Sequence, residues 1–69
     1  MQMKNNYIPL WHKYSLSVEE ASQLFGVGEN KIRQIVADNP NAEFYFEIGN
    51  RIKIKRTKFE EYLDKVTSI

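Results

Sequence analysis

Sixty-nine residues, 42% of them hydrophobic and 28% charged, fit one globular domain with one modest core. No cysteine is present, so neither a disulfide framework nor a thiolate metal site can hold the fold, which must rest on helix and sheet packing. The formal net charge is only +1, and no stretch reads as a signal peptide or a membrane span, so the cytoplasm is the expected location.

Residues 1–14 hold Tyr7, Ile8, Pro9, Leu10, Trp11 and Tyr14 without helix signals. They are expected to form an aromatic-rich arm that packs against the domain, with Met1 to Asn6 frayed. The first clear element begins at Ser17, where Ser17-Val18-Glu19-Glu20 sets a glutamate three places after a serine, the reciprocal pattern of a capping box. Val18, Ala21, Leu24 and Phe25 then recur at helical spacing, and Gly26 suits a left-handed C-terminal cap, so a helix is predicted over about 18–25.

Gly26, Val27 and Gly28 separate it from a second helical segment, which Gly28 can cap and whose first turn Glu29 favours through the helix dipole. Ile32, Ile35 and Val36 make its apolar stripe, and Asn39-Pro40 ends it, because a residue before proline is pushed out of helical geometry. Two short helices joined by a tight glycine turn form a helix-turn-helix arrangement. Short helical hairpins also occur in proteins that never touch DNA. With the stripe inward, the period turns Asn30, Arg33, Gln34 and Ala37 outward and puts Lys31 on the flank. Asparagine and glutamine can pair bidentately with adenine and arginine with guanine, while Ala37 permits close approach. An ordinary polar helix face would have the same composition.

After Pro40 the period becomes alternating. Phe44, Phe46 and Ile48 interleave with Glu43, Tyr45 and Glu47, while Ile52 and Ile54 interleave with Arg51, Lys53 and Lys55. Gly49-Asn50 between them is a two-residue hairpin turn. The expected hairpin lays one apolar face on the core, and the outer face of its second strand is entirely basic. Arg51, Lys53, Lys55, Arg56 and Lys58 are half of the ten Lys and Arg residues, and no acidic residue interrupts them. Local charge of this kind governs attraction to phosphate more than the total does. The alternative at this point is a structural hairpin whose lysines keep an exposed edge soluble.

Thr57-Lys58-Phe59-Glu60 reads as a second capping box that starts a final helix, with Phe59, Tyr62, Leu63 and Val66 as its buried stripe. Glu60, Glu61 and Asp64 face outward; their sign would repel DNA, so this side is expected to meet solvent or another protein. The order helix, helix, hairpin, helix gives an α+β fold, a small winged helix made of a helix-turn-helix, a two-stranded β-hairpin wing and a C-terminal helix. Such a domain reads bases with its second helix and touches phosphates or the minor groove with its wing.

His12 is the single histidine, there is no thiol, and no carboxylate pair or phosphate-cradling loop is recognisable. No catalytic, cofactor-binding or metal-binding residue is therefore expected, and no cofactor; the chain does not read as an enzyme. His12 beside Trp11 reads as an arm residue, and Tyr45 as a sheet residue.

Ile8-Pro9-Leu10-Trp11, Tyr14-Ser15-Leu16-Ser17-Val18-Glu19-Glu20-Ala21-Ser22, Gly28-Glu29-Asn30-Lys31-Ile32-Arg33 and Gly49-Asn50-Arg51-Ile52-Lys53-Ile54-Lys55-Arg56 together resemble the excisionases of conjugative transposons. The resemblance runs from about Ile8 to the C-terminal helix without long insertions. It implies a small, non-catalytic recombination directionality factor that binds and bends DNA near the ends of a mobile element and helps a tyrosine recombinase integrase assemble for excision. By this resemblance the DNA contacts fall on Asn30, Lys31, Arg33 and Gln34 of the second helix and on Asn50, Arg51, Lys53 and Lys55 of the wing. The implied partners are double-stranded DNA, the integrase and further copies of the chain on adjacent sites, with no membrane. Residues 1–14 would be the arm and residues 15–69 the winged-helix DNA-binding domain. Two other readings stay open: a transcriptional regulator with the same DNA-binding domain, and an adaptor that binds protein only.

Overall fold

The computed structural model describes residues 8–69; the expectations for Tyr7 and for Met1 to Asn6 lie outside the described residues. After a short 3-10 turn at Leu10–His12, the elements are β1 (Ser15–Leu16), α1 (Val18–Phe25), α2 (Glu29–Asp38), β2 (Tyr45–Ile48), β3 (Arg51–Lys55) and α3 (Arg56–Lys65).

The helix signals act as expected in α1 and α2. The Glu20 amide donates to Ser17 Oγ at 3.1 Å, and the Ser17 amide donates back to Glu20 Oε1 at 3.0 Å, so both halves of the capping box form. Gly26 takes φ +72° and donates its amide to the Ser22 carbonyl, closing α1 in the left-handed conformation that glycine adopts without a Cβ penalty. At the end of α2 the Asn39 side-chain amide donates to the Ile35 carbonyl at 2.8 Å, satisfying one of the orphan acceptors before Pro40.

The core is assembled where these helices meet the sheet. Leu16, Ala21, Ile32, Ile54 and Phe59 are fully buried, and Val18, Ile35, Val36 and Phe44 nearly so. Phe59 of α3 sits at the centre of an aromatic cluster. Its ring centroid is 5.4 Å from that of Phe25 and 5.3 Å from that of Phe44, both edge-on, with Tyr62 at 5.9 Å. One cluster thus joins α1, α3 and the segment that leads into β2.

The structure departs from the expected hairpin and final helix in three ways. First, it has three antiparallel strands in the order β1-β3-β2, because Ser15 and Leu16 pair with Lys55 and Ile54 along the other edge of β3. Second, the two strands of the hairpin do not pool their alternating apolar residues on one face. Ile48 pairs with Arg51 and Phe46 with Lys53, while Tyr45 and Glu47 pair with Ile54 and Ile52. Residues directly opposite in an antiparallel pair share a face, so Tyr45, Ile52 and Ile54 face the core, and Phe46 and Ile48 lie on the outer face with the cations. Of the expected first-strand series only Phe44 is buried, in the turn just ahead of β2.

Third, Thr57 does not cap α3. Lys55 occupies the cap position without a side-chain bond, and β3 runs straight into the helix. The strand-to-helix junction is held by the backbone: the Lys55 amide donates to the Phe44 carbonyl at 2.8 Å, and the Arg56 amide, the first of the helix, to the Tyr14 carbonyl at 3.1 Å. With the helix beginning at Arg56, Thr57 lies inside the first turn.

The arm is attached by fewer contacts than expected. Leu10 packs against the core, but Trp11 and Tyr14 are 60% and 73% exposed. Polar bonds hold the segment instead. The Lys13 ammonium pairs with the Glu20 carboxylate, and the Arg56 Nε–H donates to the Lys13 carbonyl at 2.9 Å. His12 is exposed, its ring edge-on to Trp11.

Two measurements test this account. Phe59→Ala removes the shared ring of the aromatic cluster and should cost about 3–5 kcal/mol, read as a large drop in the urea midpoint and, in a domain of this size, near-complete unfolding. The second concerns acid. The Lys13 ammonium, and then the Ser17 amide, hold the Glu20 carboxyl below the usual carboxylate range. A depressed folded-state pKa means the stabilisation is complete above the ordinary carboxylate pKa and is lost as pH falls through the folded value. Glu20→Gln, which keeps the cap geometry, should therefore lower the urea midpoint at neutral pH and flatten its decline in acid; an unchanged acid limb would sink the assignment.

Candidate nucleic-acid interface

The packing of Ile32, Ile35 and Val36 dictates which side of α2 remains free. Asn30, Arg33, Gln34 and Ala37 are all exposed, and Lys31 is half-buried on the flank. Arg33 reaches back one turn to Glu29 at 3.5 Å, with both side chains about half in solvent. An exposed pair of this kind is worth at most about 1 kcal/mol, so the guanidinium can exchange it for another acceptor.

The wing is set by its turn. Gly49 has φ +59° and no other residue of the turn has positive φ, which is the type II′ pattern that matches the right-handed twist of a hairpin. The burial of Ile54 and its pairing with Tyr45 then place Arg51, Lys53 and Lys55 on the opposite face by strand alternation.

These two elements approach one another. A cleft of about 400 Å³ is lined by Arg33 from α2, by Asn50, Arg51, Ile52 and Lys53 from the wing, and by Ser17, Val18 and Glu19 at the start of α1. Four of the eight expected contact residues, Arg33, Asn50, Arg51 and Lys53, therefore share one cleft. Lys31 and Gln34 lie elsewhere, in a smaller recess of about 150 Å³ formed with Asp38, Tyr62 and the C-terminal Ser68 and Ile69. Asn30 is exposed but lines neither. Lys55 stands at the sheet end of the wing, paired with Ser15, with its ammonium 6.0 Å from the centre of the Phe46 ring.

Two cations of the basic run are occupied within the fold. Arg56 is bonded to the arm carbonyl of Lys13, and Lys58 lies 3.7 Å from Glu43 and 3.8 Å from Glu61. The run of five thus divides into three on the wing and two that tie elements together.

Sequence reasoning missed two groups here. Glu19 brings a carboxylate to the cleft from the first turn of α1, a role that its place in the capping pattern does not signal. Phe46 and Ile48 belong to the outer face of the wing, and a signal for this was available. A two-residue turn at Gly49-Asn50 forces Ile48 opposite Arg51, and that register carries the rest of the pairing with it.

No helix among the described residues is long and apolar enough to cross a membrane. No group of three His, Cys, Asp or Glu side chains among them could hold a metal ion.

Comparison with known proteins agrees with the resemblance. The family described as "Excisionase from transposon Tn916" matches residues 1–69. A curated relative of that name, from Streptococcus agalactiae serotype V, is 46% identical over 67 residues, covering 97% of this chain and 100% of that protein. Matched along its whole length by the family, and spanning the whole of a relative at that identity, this chain belongs to the family of the excisionase from transposon Tn916.

Proposed function

We propose that the chain is a transposon excisionase that binds duplex DNA near the ends of its mobile element, bends it and assists a tyrosine recombinase integrase in excision, with no catalytic step of its own. The observation that carries this reading is the shared cleft, in which Arg33 of the second helix and Asn50, Arg51 and Lys53 of the wing face a common space. In this reading α2 enters the major groove, where Arg33, Asn30 and Gln34 meet base edges. Lys31 and the wing residues Asn50, Arg51, Lys53 and Lys55 lie along the phosphates and the neighbouring minor groove.

One short helix and one wing make a small interface, about 600–1,000 Å² for a single module of this type. Binding by one copy should be weak and steeply salt-dependent, because much of it comes from counterion release. Contact with integrase, or with further copies on adjacent sites, would reinforce it through effective concentration. Glu60, Glu61 and Asp64 offer an exposed acidic surface on α3 that is unsuited to DNA, and we assign integrase contact to that side.

The test is a salt titration of binding to duplexes from the ends of the element against random duplex. Arg33→Ala should cost about 1–3 kcal/mol on the specific duplex and much less on random DNA, while Lys53→Ala should weaken both and reduce the salt slope by about one. Absence of duplex binding at low salt would overturn the reading and leave a protein-only adaptor in its place. Charge reversal at Glu60, Glu61 and Asp64 should leave duplex binding intact and lower excision; unchanged excision would remove the acidic face from the scheme.

A further inference from the structure

The pairing register leaves one feature of the wing without a role in the fold. Ile48, the last residue of β2 before the turn, is 60% exposed, and neither it nor Phe46 packs against the core. Both stand on the outer face of the hairpin, opposite Arg51 and Lys53, with Lys55 above the Phe46 ring. No carboxylate shares that face among the paired residues, since Glu47 points to the other side with Ile52. The tip is also narrow, because β1 pairs with β3 only at Ile54 and Lys55, and from Lys53 to the turn the wing is a two-stranded ribbon.

An exposed hairpin end is ordinarily made soluble by charge, and here the neighbours are charged while the foremost strand residue is a branched aliphatic. Leaving it in water forgoes the burial that such a side chain gains elsewhere. The cations beside it fit a polyanion, and the B-DNA minor groove, about 6 Å wide, admits a single side chain from a ribbon tip. Apolar side chains presented in this way part adjacent base pairs and kink the duplex.

We propose that Ile48 is an apolar wedge, inserted by the wing into the minor groove at a base step and held there by Arg51 and Lys53 on the flanking phosphates, with Phe46 packed behind it against the sugar edge. The proposal rests on the duplex-binding reading above and adds to it the residue that bends the DNA. Charge and wedge are separable functions of the same face. Arg51 and Lys53 supply affinity that falls with salt; Ile48 supplies the distortion.

The experiment reads the end-to-end distance, by energy transfer between terminal dyes, of a duplex from the element's end, together with the fluorescence of 2-aminopurine placed along the expected minor-groove contact. Wild type should shorten the distance and brighten the probe at one step. Ile48→Ala should weaken binding by about tenfold and, at saturation, leave the distance of the free duplex. Ile48→Lys adds a cation and removes the wedge, so it should bind without bending. Ile48→Leu should bend as wild type does, and Lys53→Ala should bind more weakly yet bend fully at saturation. Circular dichroism of each variant checks that the exposed substitution leaves the fold unchanged. Full bending by Ile48→Lys at saturation would overturn the proposal. So would loss of excision by Ile48→Ala with binding and bend unchanged, which would make the face a protein contact. A wild type that binds no duplex would instead defeat the underlying function, and one that binds without bending would defeat the wedge alone.

Discussion

Ile54 is the residue through which the parts of this domain are held in register. It is fully buried, pairs with Leu16 across one edge of β3 and with Tyr45 across the other, and lies one residue before the strand turns into α3. The arm, the wing and the C-terminal helix are therefore all attached to one five-residue strand. The Arg56 amide and guanidinium extend that attachment to the carbonyls of Tyr14 and Lys13. A slip of one residue would drive Lys53 and Lys55 toward the core and send Ile52 and Ile54 to water. Burial of Ile54 thus has an electrostatic consequence: it commits Arg51, Lys53 and Lys55 to the outer face.

The same constraint explains how a chain with net charge +1 carries a strongly basic surface. Opposite charges are spent where elements meet: Lys13 on Glu20, Lys58 on Glu43 and Glu61, and Glu29 on Arg33 within a single helix. The exposed members of this set are weakly held, so Arg33 can leave Glu29 when a better acceptor arrives. Lys13–Glu20 differs, since it is partly buried and also fixes the arm beside the start of α1. The wing cations have no carboxylate partner among the described ion pairs, although the charge of Lys53 helps to hold the Glu20 carboxyl below its usual range and Lys53 shares the cleft with Glu19.

The parts of the fold that were legible in the sequence are those set by local chemistry. Both ends of α1 follow from Ser17, Glu20 and Gly26, and α2 ends at Asn39-Pro40, because each signal acts within one turn of its own helix. What was not legible depends on partners far along the chain. Ser15-Leu16 is too short to show alternation and becomes a strand because Ile54 and Lys55 offer it an edge. Thr57 has the pattern of a cap, yet the helix starts earlier, at Arg56, whose amide is held by the Tyr14 carbonyl more than forty positions back in the chain. The face of Phe46 and Ile48 is a third kind of case. The turn contained the answer, but counting alternation within each strand separately hid it, and only the pairing of the two strands resolves which side each residue takes.

Within the candidate site, residue type was more legible than grouping. Helical and strand periods identified exposed polar residues on α2 and the wing, but periodicity has no information on which of them converge. The fold gathers Arg33 with Asn50, Arg51 and Lys53 and leaves Lys31 and Gln34 in a separate recess beside Tyr62 and the C-terminal segment. That division matters for how such a small protein can discriminate among sequences. If Arg33 reads bases and the wing cations bind the backbone, as proposed, their shared cleft couples the position of the helix to that of the wing, so that a phosphate contact by Lys53 would help to aim Arg33. On the proposed reading, base recognition falls to Arg33, Asn30 and Gln34 of α2, of which only Arg33 shares the cleft with the wing, and the wing cations set the strength and salt dependence of binding.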